Sequence, residues 1–313
     1  MIKLSTLLSS FFYLLPLYIF VLAPLLRQIF PSDAASSSIL DFDSTDHDPD
    51  VTLDESVLSL DDGVEVTCPP EADQYQIHLL ARDPLVIYIE NFVSGAEADE
   101  IVEMSKSNYT PSILYNGTAS IVDPSRRLSD RSLLPRTPTI RCLEARARAF
   151  QGWRPNLYIE RMWAQRYNAS GHYTHHYDWA GSVARGGDRA STFMVYLGDE
   201  CRGGGTNFPR LRKPRDQRWC RFIECETDEE TKPEEKEEGE GGNNGVVGQG
   251  QQGQGRREGI TFKPIKGNAI FWENLRADGS GYPETWHAAE PVTEGTKFGL
   301  NIWSWYQAPR RRV

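Results

Sequence analysis

Apolar and polar positions divide the chain into three textures. From Leu4 to Leu26 there is no charged residue, and Leu, Phe, Tyr and Ile dominate, with Lys3 before the run and Arg27 after it. These 23 residues exceed the roughly 7–15 residue core of a cleaved signal and are long enough to cross a bilayer. A signal anchor over 1–27 is therefore favoured over a signal peptide cut near Ser32-Asp33-Ala34. Residues 28–75 read as an acidic, disordered tether, and an ordered domain is expected over 76–310. Its first strong β run is Leu85 to Val93, just after Pro84. Ser94 is placed to cap a helix through about Met104. A second helix is expected from Pro138 to Gln151, with Ile140, Leu143, Ala147 and Phe150 at helical spacing. Between the two, Thr110 to Arg136 mixes Pro, Ser, Gly and charge and reads as a long loop.

From Tyr158 onward the texture changes to short β runs separated by turn residues: 158–167, 191–197, 259–262, 268–273 and 296–306. This pattern predicts an α+β fold, a β-sandwich or barrel with the two earlier helices packed on its outer face. The stretch 225–258 interrupts it. It passes from Glu and Lys into Gly, Asn and Gln repeats, cannot supply a core, and reads as a disordered insert between two strands.

Charge sharpens this division. The net charge is -10, yet 28–65 holds eleven acids with no Lys or Arg, and 224–240 holds ten acids against two lysines. The remaining body is net basic. The acidic runs hold too little apolar surface to offset chain entropy and are expected to be solvated. The triplet Arg310 to Arg312 is too short to argue for nucleic acid, and no nucleic-acid partner is expected. Three sequons, at Asn108, Asn116 and Asn168, agree with entry into the secretory pathway, in which the expected location is the endoplasmic reticulum lumen, tethered to the membrane by the N-terminal segment, or secreted if that segment is cleaved. Five cysteines in an oxidising lumen permit one or two disulfides. Cys201, Cys220 and Cys225 lack zinc-finger spacing and read as one local disulfide and a leftover thiol.

The candidate chemistry lies at His172-Tyr-Thr-His-His-Tyr-Asp178. His176 and Asp178 are two apart, so in a strand both side chains leave on one face. The only later histidine is His287. Two imidazoles and one carboxylate on one face of an ion leave the other face open, which is the ligand set of non-haem Fe(II) oxygenases. His172 and His176 are four apart, but no Glu follows the first, Gly171 and the aromatics disfavour a helix, and a zincin pair is excluded. His175 alternates to the opposite face from His176.

Around this core the chain carries Arg166-Tyr167-x-x-x-Gly171-x-Tyr173-x-x-His176-x-Asp178, then Arg189-x-x-Thr192-x-x-x-Tyr196-Leu197. Next come Gly203-Gly-Gly-Thr-Asn-Phe-Pro209, Lys263-Pro-x-Lys-Gly-x-Ala269 and His287-Ala-Ala-x-Pro291-Val292-x-x-Gly295-x-Lys297. In this order and spacing the motifs resemble the prolyl 4-hydroxylase alpha-subunit-like family of Fe(II)/2-oxoglutarate dioxygenases, over roughly Pro84 to Gln307. The resemblance implies a double-stranded β-helix (jelly-roll) core. It implies Fe(II) held by His176, Asp178 and His287, with 2-oxoglutarate and O2 on the open sites and ascorbate as reductant. Lys297 becomes the cation for the distal carboxylate of the cosubstrate, a point charge on a flexible stem, and Tyr167 and Thr192 line the same pocket. Tyr173 and Arg189 fall near the reacting centre, Glu160 and Trp303 along the peptide channel, and Arg127, in Arg127-x-Ser129, in a loop over bound peptide.

The implied activity is 4-hydroxylation of proline in a secretory peptide or protein. Some members of the family assemble with a protein disulfide isomerase. Three departures stand out: Gly205 where the family has Glu, Ala289 where it has Gly, and Trp305 at an often polar position. The third keeps open the same iron chemistry on a non-prolyl substrate. A jelly-roll binding module without catalysis is disfavoured by the intact set of two His, Asp and Lys.

Overall fold

The computed structural model describes residues 53–70, 74–116, 119–225 and 259–307. Strands β1 (Gln76–Arg82) and β2 (Leu85–Glu90) form an antiparallel hairpin. Helix α1 (Gly95–Ser105) starts at a capping box in which the Ser94 hydroxyl accepts from the Glu97 amide and the Glu97 carboxylate accepts from the Ser94 amide, satisfying two end donors reciprocally. The short strands β3 (Thr110–Pro111), β4 (Leu114–Asn116), β5 (Ala119–Ile121), β6 (Arg127–Leu128) and β7 (Asp130–Leu133) follow. Helix α2 (Pro138–Phe150) is capped by Thr137, with Pro at its first position, where a missing N–H does no harm.

Next come β8 (Leu157–Ile159), β9 (Trp163–Tyr167), β10 (His172–His176), β11 (Gly187–Tyr196), β12 (Cys201–Gly203) and β13 (Thr206–Phe208). The chain ends its sheets with β14 (Ile260–Phe262), β15 (Ala269–Glu273), β16 (His287–Ala289), β17 (Val292–Gly295) and β18 (Lys297–Gln307). The larger sheet runs β1-β2-β15-β11-β18-β9-β7-β3, with β8 also on β18, and the smaller runs β14-β13-β16-β10-β6. Two antiparallel sheets facing each other, with helices on one outer face, form the expected jelly-roll.

Strand alternation explains why the larger sheet is apolar on both faces. On β11, Phe193 and Val195 point to the helices while Met194 and Tyr196 point to the smaller sheet, and Phe271 and Ile270 divide in the same way on β15. Outside, Phe92 stacks on Phe193 at 5.1 Å, and Phe150 at the end of α2 meets Phe193 at 5.3 Å and Phe271 at 5.1 Å. Between the sheets, Tyr88, Phe208, Phe262 and Trp272 are essentially inaccessible. Each such side chain contributes roughly 1.5–3 kcal/mol by leaving water.

Three sequence expectations need correction. The stretch Thr110 to Arg136 is not a single loop, because it holds β3 to β7, and β6 and β7 extend the two sheets. The β run from Tyr158 to Tyr167 is broken into β8 and β9 at residues 160–162. The tether assigned to 28–75 is, in its described part, attached to the body. Leu58 is buried and bridges Glu160, and the Ser59 amide donates to the Ile159 carbonyl at 2.8 Å. Asp62 pairs with Arg141 and Arg136, and Cys68 is bonded to Cys142 of α2. One buried leucine, an ion-pair cluster and a disulfide outweigh the acidic composition. Cys220–Cys225 is the local disulfide, and Cys201 is the leftover thiol. The signal anchor over 1–27, the rest of the tether, the Arg310 to Arg312 triplet and nearly all of the 225–258 insert lie outside the described residues. Among the described residues no helix is long and apolar enough to cross a membrane.

Candidate metal centre and cosubstrate pocket

The smaller sheet brings the distant histidine to the motif. Strand β10 pairs antiparallel with β16, and the register sets His176 opposite His287. Asp178 lies just past the end of β10. The candidate ligand atoms of His176, Asp178 and His287 all lie within 4.8 Å of one another. Asp178 Oδ1 is 3.7 Å from His176 Nε2, and Oδ2 is 3.9 Å from His287 Nε2. Donors about 2 Å from one ion lie at most ~4 Å apart, so the three converge to within an ångström of what a single ion needs.

The surroundings orient each donor. His176 Nδ1 lies 2.8 Å from the Thr174 carbonyl, and His287 Nδ1 lies 2.9 Å from the Thr285 carbonyl. A carbonyl only accepts, so both Nδ1 atoms carry the proton and both Nε2 lone pairs face inward, as metal ligation requires. Asp178 Oδ2 accepts from the Thr192 hydroxyl at 2.8 Å, which accepts from Asn274 Nδ2 at 2.9 Å, and Asn274 Oδ1 accepts from Trp272 Nε1 at 2.9 Å. This chain of donors ends on the carboxylate. Trp272 also lies edge-on to the His287 ring at 4.9 Å, Phe208 stacks on that ring at 5.3 Å, and Tyr173 stacks on His176 at 3.6 Å.

Electrostatics agree with a metal-binding set. Burial, then the neighbouring His287, pushes the His176 imidazolium down to about 3, so the ring is neutral at physiological pH. Burial alone would raise the Asp178 carboxyl, but His287, His176 and Arg189 outweigh it and hold it below the usual carboxylate range. Neutral imidazoles and an ionised carboxylate are the forms that bind a divalent ion.

Lys297, first residue of β18, pairs with Tyr167 on β9. It is fully buried, and its Nζ has no hydrogen-bond partner. The ammonium lies over the Tyr167 ring at 5.3 Å and the Tyr196 ring at 5.5 Å, and burial pushes its pKa down to about 8. A buried ammonium with no partner costs several kcal/mol, so the site fits an incoming carboxylate. One cavity is lined by Lys297, both histidines, Tyr167, Tyr173 and Thr206. Gly204, at φ +67°, leaves room for the lysine: a Cβ there would meet Lys297 Cδ at 3.2 Å and Val292 at 3.0 Å.

Other expected residues fall in several places. Tyr167 lines the cavity, with its hydroxyl donating to Gln165 Oε1 at 2.6 Å. Thr192, expected in the same pocket, donates its hydroxyl to the Asp178 carboxylate. Glu160 and Arg189 form a bidentate pair at 2.7 and 2.8 Å, and the Arg189 guanidinium lies 3.7 Å over the Trp303 ring. Trp303 Nε1 is buried without a partner. Arg127 lies over Tyr173 at 4.6 Å and donates to Ser129 Oγ at 3.2 Å.

Two departures acquire reasons. A Cβ at Gly205 would meet Thr261 Cγ2 at 2.5 Å, so a glutamate there would have to displace that side chain, and Trp305 covers Gly187 and stays outside the cavity. His175 Nε2 lies 3.1 Å from Asn207 Oδ1, and its ring faces Trp286, away from the triad. Sequence reasoning missed Asn274, Trp272 and Thr206, whose oxygen accepts from the Tyr196 hydroxyl at 2.8 Å. For Thr206 the glycine run before it was a usable signal.

The profile of the 2OG-Fe(II) oxygenase superfamily matches residues 162–305. Prolyl 4-hydroxylase 2 of Arabidopsis thaliana is 24% identical over 234 residues, covering 73% of this chain and 69% of that protein. Prolyl 4-hydroxylase subunit alpha-3 of Homo sapiens is 26% identical, covering 72% of this chain and 34% of that protein. The chain thus spans most of the plant relative but about a third of the animal subunit. A crystal structure of a viral collagen prolyl hydroxylase from Paramecium Bursaria Chlorella virus-1 is 22% identical with a TM-score of 0.47, over 72% of this chain and 96% of that one. Residues 162–305 thus match the 2OG-Fe(II) oxygenase superfamily, and the chain that carries the triad and the buried lysine is similar to prolyl 4-hydroxylases.

Proposed function

We propose that this chain hydroxylates proline at its 4-position in a peptide or protein of the secretory pathway. The observation that carries the reading is one cavity that joins His176, His287 and the unpartnered ammonium of Lys297, with Asp178 beside it. Held by the two histidines and Asp178, Fe(II) supplies activation of O2 coupled to decarboxylation of 2-oxoglutarate. The protein's own part is placement. Lys297 takes the distal carboxylate, and Thr206 and Tyr167 flank it. Thr192 and the Nδ1 bonds fix the ligand orientations, while Phe208 and Trp272 exclude water behind His287. The Glu160–Arg189 pair stacked on Trp303 gives a rigid wall that suits a pyrrolidine ring by apolar contact.

The secretory setting is supported by the two disulfides, by the exposure of Asn108 and Asn168, and by the uncharged run at 4–26. We infer a lumenal domain held to the endoplasmic reticulum membrane by that run. Trp305 lies outside the cavity, so the departure that kept a non-prolyl substrate open does not alter the reacting centre.

The test is incubation of proline peptides with Fe(II), 2-oxoglutarate and ascorbate. Mass spectrometry should show one added oxygen on proline with stoichiometric succinate, and both should vanish in His176→Ala. Succinate release that no proline peptide stimulates would reject the prolyl assignment.

A further inference from the structure

Beside the mouth of this site lies a basic loop that the proposed reaction does not use. Residues 210–221 read Arg-Leu-Arg-Lys-Pro-Arg-Asp-Gln-Arg-Trp-Cys-Arg, six bases against one acid. We propose that this loop docks an acidic stretch of the peptide substrate, flanking the residue to be hydroxylated; the inference rests on the peptide reading above and deepens it.

Position is the first argument. The loop leaves β13 two residues after Phe208, the ring stacked on His287. Arg210 donates to the Tyr177 hydroxyl and to the Pro283 carbonyl, and its guanidinium lies 5.9 Å from the Tyr177 ring and 5.5 Å from Trp286. Tyr177 stands between His176 and Asp178 in sequence, and Trp286 precedes His287. Tyr177 also packs on Trp179 at 4.5 Å and on Trp286 at 4.6 Å. An aromatic ledge with a cation on it therefore adjoins the metal centre, and such faces accept proline rings and the apolar parts of a peptide.

Charge is the second argument. Arg218 is taken by Asp216, and Arg221 by Glu90. Arg212, Lys213 and Arg215 are exposed, and among the described residues no ion pair neutralises them. Ordinary solvated surfaces intersperse both signs; a run of one sign next to a reaction site raises the local concentration of the opposite charge.

Preorganisation is the third. Leu211 and Phe222 are buried at the two ends of the loop, Asp216 caps the short helix Gln217–Arg221, and Cys220 is bonded to Cys225. A loop already pinned loses little entropy when it binds.

The test measures binding, without turnover, so its failure is separable from failure of the hydroxylase reading. A fluorescein-labelled peptide of alternating Glu and Pro is titrated with the full chain, alongside its Ser-Pro counterpart. The triple variant Arg212→Gln/Lys213→Gln/Arg215→Gln leaves the metal triad and Lys297 intact. The Glu-Pro peptide should bind more tightly to the wild type. The triple variant should weaken it by about fivefold, as a few rim charges do, and leave the Ser-Pro peptide unchanged. Raised salt should erase the difference. A preference for the acidic peptide that survives the triple substitution overturns the proposal. So does equal binding of the two peptides to the wild type, which includes the case in which the chain's own acids at 224–240 engage the loop instead.

Discussion

Thr192 Oγ1 donates to Asp178 Oδ2 at 2.8 Å while accepting from Asn274 Nδ2 at 2.9 Å. The hydroxyl thus sets which carboxylate oxygen is engaged from behind and which edge faces the two imidazoles.

Thr192→Val should weaken Fe(II) affinity by about 10–100-fold, the usual effect of losing a group that orients a metal ligand. Thr192→Ser should restore most of it. Calorimetric titration of the anaerobic apoprotein with Fe(II) measures this directly. Equal affinity in the valine variant would mean that Asp178 is oriented by packing alone.

Lys297 carries a pH prediction with a definite sign. Burial lowers its pKa from 10.5 to about 8. Between these values the unfolded chain holds a proton that the folded chain has released, so this group makes stability rise with pH across that window. Below about 8 the deficit is fully present, roughly 3 kcal/mol at most. Lys297→Met should therefore raise the melting temperature of the apoprotein at neutral pH and flatten its rise above pH 8. A lower melting temperature for the variant would contradict the burial argument.

The same residue predicts cosubstrate binding. A carboxylate at Nζ needs the ammonium form, so 2-oxoglutarate affinity should fall as pH rises above about 8, approaching tenfold for each further pH unit. Lys297→Met should bind weakly at every pH. Equilibrium binding across pH 7 to 10 resolves the two.

Glu160 and Arg189 form a bidentate pair, with the carboxylate nearly buried. Glu160→Gln should destabilise the fold by about 1–3 kcal/mol and raise the KM for peptide, with the KM for 2-oxoglutarate unchanged. Arg189→Lys should not rescue, because a lysine lacks the planar fork that stacks on Trp303. Denaturant unfolding and separate KM measurements check both claims.

Cys68–Cys142 ties the segment 53–70 to α2 across a separation of 74 residues. The double Ser variant should lose about 2–4 kcal/mol and become open to proteolysis within 53–70. Limited proteolysis followed by mass mapping gives the answer.

The candidate metal ligands and the buried lysine stand out in the sequence because each sits in a short local pattern: His176-x-Asp178, and Pro291-Val292-x-x-Gly295-x-Lys297. Helices α1 and α2 were legible for the same reason, through Ser94, Thr137-Pro138 and the spacing of Ile140, Leu143 and Ala147. The role of Thr192 was not, because a hydroxyl's partner depends on the register that sets β11 beside β15 and so brings Asn274 to it. The attachment of 53–70 was hidden in an acidic composition, since it depends on Leu58, Asp62 and a disulfide to a distant helix. Strands β3 to β7 escaped notice because pairings of two to four residues are too short to carry a periodic signal.

Strands β13 and β14 are neighbours in register, Phe208 opposite Ile260, although the chain between them is long. That excursion is closed near its root: Ile223 bridges Phe262, the Glu224 amide donates to the Thr261 carbonyl, and Cys220 is bonded to Cys225. That clasp is complete within the described residues, before 226–258 begins. Evolution can lengthen, shorten or rewrite that stretch while the oxygenase barrel keeps its shape, and an engineer could graft a foreign module at the same point.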